Sequence, residues 1–240
     1  MYNSKILNCS YKIFPLGDAA ACVDLGNIID ENLNKKVLAM HQWLKANSFE
    51  GLNDIVVAYG SLSVYYDPII AKKKNKINTP VFEFVRQKLE TAFTRSVITE
   101  ESNSDIIHIP VCYSDEFGID TDFISKQKNI SKEEIVQLHT SITYRVYMVG
   151  FLPGFSYLGK VHEKLIMPRK VQPVVVAAGS VGITGGQTGI YPMNTPGGWQ
   201  IIGRTPVKLF DSKANVPSLL NAGNRVQFFE ISKEVFENYF

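Results

Sequence analysis

Residues 171–203 read VQPVVVAAGSVGITGGQTGIYPMNTPGGWQIIG, 33 positions without one Asp, Glu, Lys or Arg. At the chain's overall charged content of 20%, a stretch of that length carries about six or seven. The segment also holds 8 of the 17 glycines, interleaved with Val174-Val175-Val176, Ile183, Ile190 and Ile201-Ile202. Short β-branched runs broken by glycine turns are the pattern of a β-barrel. Between them stand Ser180, Thr184, Gln187, Thr188, Tyr191, Asn194, Thr195 and Trp199. Neutral hydroxyls and amides can bind a carboxylate or an amide without desolvating a formal charge of their own, and glycines admit a ligand close to the backbone. A barrel as scaffold and a pocket or interface on it are compatible readings.

Arg169 and Arg204 flank the segment. Two such guanidiniums could clamp an anion bidentately, or each could sit in a surface ion pair, and the sequence leaves both open. Upstream, Tyr144 to Val149 reads as a strand that leads into Gly150-Phe151-Leu152-Pro153-Gly154-Phe155-Ser156-Tyr157-Leu158-Gly159. Aromatic residues on a glycine-rich loop either plug a core or line a pocket. Ser131-Lys132-Glu133-Glu134 is a capping box, so Glu133 and Glu134 neutralise a helix N-terminus rather than act as an acid/base pair. That helix runs to about His139, the one histidine close enough in sequence to the aromatic loop to keep as a site candidate.

The first hundred residues follow a different rhythm. Tyr11 to Phe14 and Ala20 to Leu25 alternate around Pro15-Leu16-Gly17-Asp18 as two strands and a turn. Asp30 caps a helix whose Leu33, Val37, Met40 and Leu44 form one stripe. Ile55 to Tyr59 and Leu62 to Tyr66 give two more strands, closed by Asp67-Pro68. Thr79 as cap and Pro80 at the first helical position open a second helix, with Phe82, Val85, Leu89 and Phe93 on its core face. Lys72-Lys73-Lys74-Asn75-Lys76 reads as a solvated loop. Thr99 to Asp105 is polar and aperiodic, a linker. The expected organisation is therefore α+β: a small N-terminal α+β sandwich over residues 1–98 and a C-terminal β-barrel over residues 99–240.

Composition excludes several classes. Lys plus Arg is 25 against 23 Asp plus Glu, a net +2, too near neutrality for a nucleic-acid or membrane-surface protein by bulk charge. Cys9, Cys22 and Cys112 are odd in number and form no C-x-x-C pair, so a reducing cytoplasm is the expected location and no disulfide framework is encoded. The first residues lack the apolar core of a secretion signal, and no apolar run approaches the ~18 residues of a membrane span. No two glycines are two apart, which rules out G-x-G-x-x-G, and no Gly-Lys-Ser/Thr exists for a phosphate loop. Ser156 misses the G-x-S-x-G nucleophile elbow by one residue. His41, His108, His139 and His162 include no i, i+4 pair, so no zincin-type metal site is expected. Asp115, Glu116, Asp120 and Asp122 invite a calcium loop, but counted from Asp120 the glycine and glutamate positions hold Ser125 and Ser131, and solvated turns fit better.

Several long words of the chain occur in an order that resembles a known family. Gly150-Phe151-Leu152-Pro153-Gly154-Phe155, Met167-Pro168-Arg169, Gly179-Ser180-Val181-Gly182-Ile183, Gln187-Thr188-Gly189-Ile190-Tyr191-Pro192, Thr195-Pro196-Gly197-Gly198-Trp199 and Ile202-Gly203-Arg204-Thr205-Pro206 closely resemble the B-type subunit of 5-oxoprolinase. The family includes the sporulation-kinase inhibitor KipI and allophanate hydrolase subunit 1. Leu16-Gly17-Asp18-Ala19 and Leu62-Ser63-Val64-Tyr65-Tyr66-Asp67-Pro68 extend the resemblance into the first half.

The resemblance implies a cyclophilin-like barrel and work in a complex with two partners, a homologous C-type barrel subunit of 5-oxoprolinase and an A-type one. Together they would open 5-oxo-L-proline to glutamate with ATP as co-substrate, and no ATP site is assigned to this chain. Two other functions belong to the same resemblance: inhibition of a sensor histidine kinase by binding alone, and a carboxyltransferase half acting on urea or another amide. For the lactam reaction, the backbone N–H groups around Gly185-Gly186-Gln187 and the Gln187 side chain are the expected oxyanion donors. Arg169 or Arg204 would hold a carboxylate or phosphate, and Tyr191 and Trp199 would shape the pocket. His139, Phe155, Ser180, Thr188, Gly197 and Gly198 complete the expected substrate-binding set. The chain departs from the family pattern at Ala177-Ala178-Gly179-Ser180 (usually Pro-Ala-Gly-Ser), at Ser114-Asp115-Glu116 (usually Gly-Gly-Glu) and at Pro173-Val174, where a second Pro-Arg is usual. The missing arginine points toward a shifted substrate or a binding role alone.

Overall fold

The computed structural model describes residues 10–98 and 105–239. The chain divides into two compact units, residues 1–102 and 103–240, and positions 99–104 of the expected linker lie outside the described residues.

In the first unit, β1 (Lys12–Pro15), β2 (Ala20–Asp24), α1 (Glu31–Ala46), β3 (Leu52–Val57), β4 (Ser61–Tyr66), α2 (Pro68–Lys74) and α3 (Val81–Arg95) follow in order. The strands form one antiparallel sheet, β1-β2-β4-β3. Asp30 caps α1 as expected, its Oδ1 accepting the Leu33 N–H at 3.0 Å, and Val37, Met40 and Leu44 are buried. They meet Val85, Leu89 and Phe93 of α3 and Val23, Leu62 and Val64 of the sheet in a single core.

Two details differ from expectation. The lysines 72–74 are the last turn of α2, not a loop: Asp67 Oδ1 caps this helix at Ile69 and Ile70 N–H, and cations at a helix C-terminus oppose its dipole favourably. Pro80, not Thr79, occupies the cap position of α3, without a side-chain cap bond.

The second unit contains β5 (Ile107–Val111), α4 (Thr121–Lys128), α5 (Lys132–Thr140), β6 (Thr143–Val149), β7 (Ser156–Gly159) and a short 3-10 turn (Glu163–Leu165). It continues with β8 (Val174–Val176), β9 (Ser180–Thr184), β10 (Gln187–Ile190), β11 (Thr195–Gly197), β12 (Gln200–Arg204), β13 (Arg225–Glu230) and α6 (Lys233–Glu237). Seven strands run β12-β9-β10-β7-β6-β13-β5, and β11-β8 form a separate ribbon. Among the described residues only the β13–β5 pair is parallel. The sheet curls into a barrel around Val111, Val146, Leu158, Ile183, Ile202 and Phe228. Ser131 Oγ caps α5 at the Glu134 N–H, 3.1 Å, as the capping box requires.

The two edge strands meet at one point. Cys112 and Arg204 exchange both backbone hydrogen bonds, 2.8 and 2.9 Å. Beside them Asp120 N–H donates to Ile201 O at 3.0 Å, and Asp120 Oδ2 accepts the Ile201 N–H at 2.6 Å. Asp120 is thus part of the barrel seam rather than a solvated turn. The seam needs Gly203: a Cβ there would lie 2.8 Å from both Cys112 O and Val111 Cγ1. Gly203→Ala should therefore lower the stability of the barrel unit by about 1–3 kcal/mol. Gly186→Ala, whose Cβ would meet nothing within 4 Å, should stay within about 0.5 kcal/mol. Urea unfolding followed by Trp199 fluorescence in a Trp43→Phe background checks both, and equal midpoints for the two variants would remove the seam from this role.

Candidate functional site

Where β9 and β10 lie side by side, Gly182 is opposite Gly189. A Cβ on Gly189 would come 2.8 Å from Trp199 Cζ3, and one on Gly182 would come 3.1 Å from Trp199 Cβ. The paired glycines make the recess into which the indole packs. Phe155 joins it as the hub of an aromatic cluster. Its ring centroid lies 4.7 Å from Tyr157, 5.1 Å from Tyr191 and 5.4 Å from Trp199, all edge-on, the geometry that the ring quadrupoles favour. Phe155, Tyr191, Trp199, Val176 and Ile201 form a small core of their own, separate from the barrel interior.

Above this floor is a cavity of about 230 Å³. Tyr157, Phe151, Pro173, Pro196, Gly197, Gly198 and Arg169 complete its lining. Phe151 is 65% exposed and holds a φ of 70°, a left-handed conformation costly for a side chain with a Cβ. The aromatic loop thus both plugs and lines: Phe155 is the plug, Phe151 the rim.

Arg169 is exposed, and its Nε lies 3.7 Å from where a Gly198 Cβ would be. Among the described residues no acidic side chain lines the cavity. Burial raises the Tyr157 phenol above its ordinary pKa, and the Arg169 charge opposes that rise. Tyr191 is raised by burial as well, with a hydrogen bond from the Trp199 backbone and the Arg169 charge working against it. The cavity therefore offers one unneutralised cation over aromatic faces and glycine backbone, a fit for a small ring compound bearing one carboxylate.

Of the residues expected from sequence, Arg169, Phe155, Tyr191, Gly197, Gly198 and Trp199 come together here. Gly185, Gly186 and Gln187 do not. They make the β9–β10 turn, where Gly185 N–H donates to Met167 O and Gly186 O accepts from Val161 N–H, and Gln187 pairs with Thr184 and Gly159. Ser180 is buried on β9. Arg204 faces a second cavity of about 390 Å³ with Thr205 and Lys208. Its Nε donates to Ala178 O at 2.7 Å, and its guanidinium carbon is 5.9 Å from each of the Phe117 and Phe236 rings. The two arginines do not form a clamp. Val174, where the family pattern has arginine, follows Pro173 of the cavity wall and pairs with Gly197.

His139 and Thr188 lie inside the barrel. His139 is fully buried and stacks on Phe228 at 4.6 Å. Thr188 Oγ1 donates its one proton to Gly182 O at 3.1 Å, so at 2.9 Å it must accept from His139 Nε2–H. That leaves Nδ1 to accept from the Tyr113 hydroxyl at 2.8 Å. Every member of this hydrogen-bonded row is satisfied by a neutral imidazole.

Phe151, Tyr157, Pro173 and Pro196 belong to the cavity without being among the site residues expected from sequence. The aromatic loop carried the signal for the first two; the two prolines join the cavity only once β8 and β11 pair.

A family profile for the carboxyltransferase domain, subdomain C and D, matches residues 11–220. The chain belongs to that family. Within the carboxyltransferase C/D family, the B-type subunit of 5-oxoprolinase from Bacillus subtilis (strain 168) is 41% identical over 95% of this chain and 96% of its own length. Its counterpart from Haemophilus influenzae, also a B-type subunit of 5-oxoprolinase, is 35% identical over 90% of this chain and 96% of that protein. Among solved structures, TTHA0988 aligns with a TM-score of 0.75 and 33% identity. The match covers 89% of the present chain, which spans only 40% of that one. Among the described residues no helix is long and apolar enough to cross a membrane.

Burial lowers the His139 pKa from 6.5 to about 3. A base depressed in the folded state binds fewer protons than the unfolded chain between those two values, so its contribution to stability is full above about 6.5 and is lost as the pH falls toward 3. The barrel unit should lose stability already between pH 6.5 and 5, before most carboxylates titrate. His139→Gln should be about 1–3 kcal/mol less stable at pH 7 and should flatten that slope. Denaturation midpoints read from Trp199 in a Trp43→Phe background at pH 5, 6 and 7 provide the check.

Proposed function

We propose that this chain is the B-type subunit of an ATP-dependent 5-oxoprolinase, holding 5-oxo-L-proline in the aromatic cavity while A-type and C-type partner subunits complete the reaction. The observation that carries this reading is the exposed Arg169 guanidinium at an aromatic cavity of about 230 Å³ that no acidic side chain lines among the described residues, in a chain 41% identical over nearly its whole length to a B-type subunit of 5-oxoprolinase. The substrate is a five-membered lactam with one carboxylate. Its carboxylate would pair with Arg169 and its ring would lie against Tyr157 and Trp199.

Hydrolysis of the lactam adds water across the C–N bond and leaves a second carboxylate and an ammonium. A resonance-stabilised amide resists this, and phosphoryl transfer from ATP to the lactam oxygen would make the carbon electrophilic and the oxygen a leaving phosphate. Neither glycine-rich phosphate motif is present in this chain, so its role in that step is to hold and orient the ring. The Gly185-Gly186-Gln187 turn and Arg204 lie outside the cavity, so the donors expected there do not reach a ring held in it.

Release of ADP and glutamate from 5-oxo-L-proline and ATP should occur only when this chain and both partners are present, and neither with the chain alone nor with the partners alone. In the full mixture Arg169→Gln should raise KM for 5-oxo-L-proline by about 10- to 100-fold, the loss of a charged hydrogen-bonded pair, with KM for ATP unchanged. An unaltered KM for the lactam would separate Arg169 from the substrate.

A further inference from the structure

Arg169 sits on backbone that belongs to neither helix nor strand, so no ladder of hydrogen bonds holds it. Three contacts do so instead. Pro168 O accepts from the Gln200 side-chain amide at 3.1 Å, and Gln200 is buried. Lys170 N–H donates to Gly198 O at 2.7 Å. The Lys170 ammonium pairs with Asp120 Oδ2 at 2.6 Å, both side chains largely shielded at 15% and 17% exposure. Immediately beyond, Val171 is 99% exposed, so the strap ends at Lys170.

Asp120 is the junction. The same Oδ2 that takes Lys170 accepts the Ile201 N–H, and Ile201 is part of the aromatic floor. Asp120 also precedes α4 as its cap residue yet makes no side-chain cap bond; the carboxylate is committed to the strap and the floor. Neither Asp120 nor Lys170 lines the cavity. We infer that Asp120, acting through Lys170, is the positioning residue that fixes the Arg169 guanidinium against the aromatic floor and so sets the affinity of the cavity for a carboxylate. The last clause rests on the carboxylate reading given above; the positioning itself does not.

The test uses the phenols of Tyr157 and Tyr191 as local electrometers, followed by NMR of ring-labelled tyrosine in the full chain. Arg169→Gln, which removes the cation that opposes their raised pKa, should move both further up. Asp120→Asn removes a negative charge and leaves Lys170 unpaired, and direct electrostatics would move both phenols down. If Asp120 positions Arg169, its loss frees the guanidinium and the phenols move up, by at least half the Arg169→Gln rise. A fall, or no change, overturns the inference.

Lys170→Ala offers a second route should Asp120→Asn not fold. In a Trp43→Phe background, where Trp199 is the sole tryptophan, binding of 5-oxo-L-proline should weaken about tenfold, about 1.4 kcal/mol. Binding of 2-pyrrolidinone, the same ring without the carboxylate, should change less than about twofold. Equal weakening of both ligands would mean a damaged floor rather than a displaced guanidinium and would also overturn the inference. Failure of the unmodified chain to bind either ligand, with the tyrosine shifts as expected, would instead sink the carboxylate reading and leave the positioning intact.

Discussion

The barrel is closed by one pair of backbone hydrogen bonds, Cys112 to Arg204, supported by Asp120 to Ile201. Without closure, β5 and β12 would be free edges, each a row of unpaired donors and acceptors. Closure also fixes β12 laterally, and β12 continues directly from Trp199, which lines the cavity, and carries Ile201 of the small core packed with it. The seam is tight enough that Gly203 cannot take a side chain without a backbone shift. The shape of the binding surface is thus a consequence of how the sheet meets itself.

The absence of charge in residues 171–203 follows from the same architecture. From Val176 to Gly203 most of these residues are buried, where an unpaired charge would cost several kcal/mol. The charge that serves the cavity enters from outside the segment, on Arg169, and the ion pair behind it enters from Lys170 and Asp120. A largely shielded pair of this kind adds little to net stability; its value lies in holding an irregular stretch of chain in one place.

Polar groups within the barrel follow a complementary rule. The row of Tyr113, His139 and Thr188 is completely satisfied and ends on a backbone carbonyl. It admits one tautomer and one protonation state, and it ties α5 to β10 across the core. A fully paired network of this sort specifies a unique packing where an apolar core alone would tolerate several.

The sequence by itself determined whatever depends on local pattern. The caps at Asp30 and Ser131 are short-range hydrogen bonds between neighbours. The stripe of Val37, Met40 and Leu44 reflects helical periodicity, and the barrel strands of residues 171–203 reflect β-branched runs set between glycines. Family membership was legible for the same reason, since the words Gly150 to Phe155 and Thr195 to Trp199 are contiguous. Within the site, the aromatic residues announced themselves by their type. The tertiary structure alone decided which of them share a cavity. Arg169 and Arg204 flank one segment and could have formed a clamp, yet strand pairing carries them to different cavities. His139, near the aromatic loop, and Thr188, in the charge-free segment, were drawn into the core because each found a hydrogen-bond partner there. Asp120 and Lys170, far apart in the chain, became a pair only because closing the barrel brings Ile201 to Asp120. Those contacts are long-range, and no local periodicity encodes them.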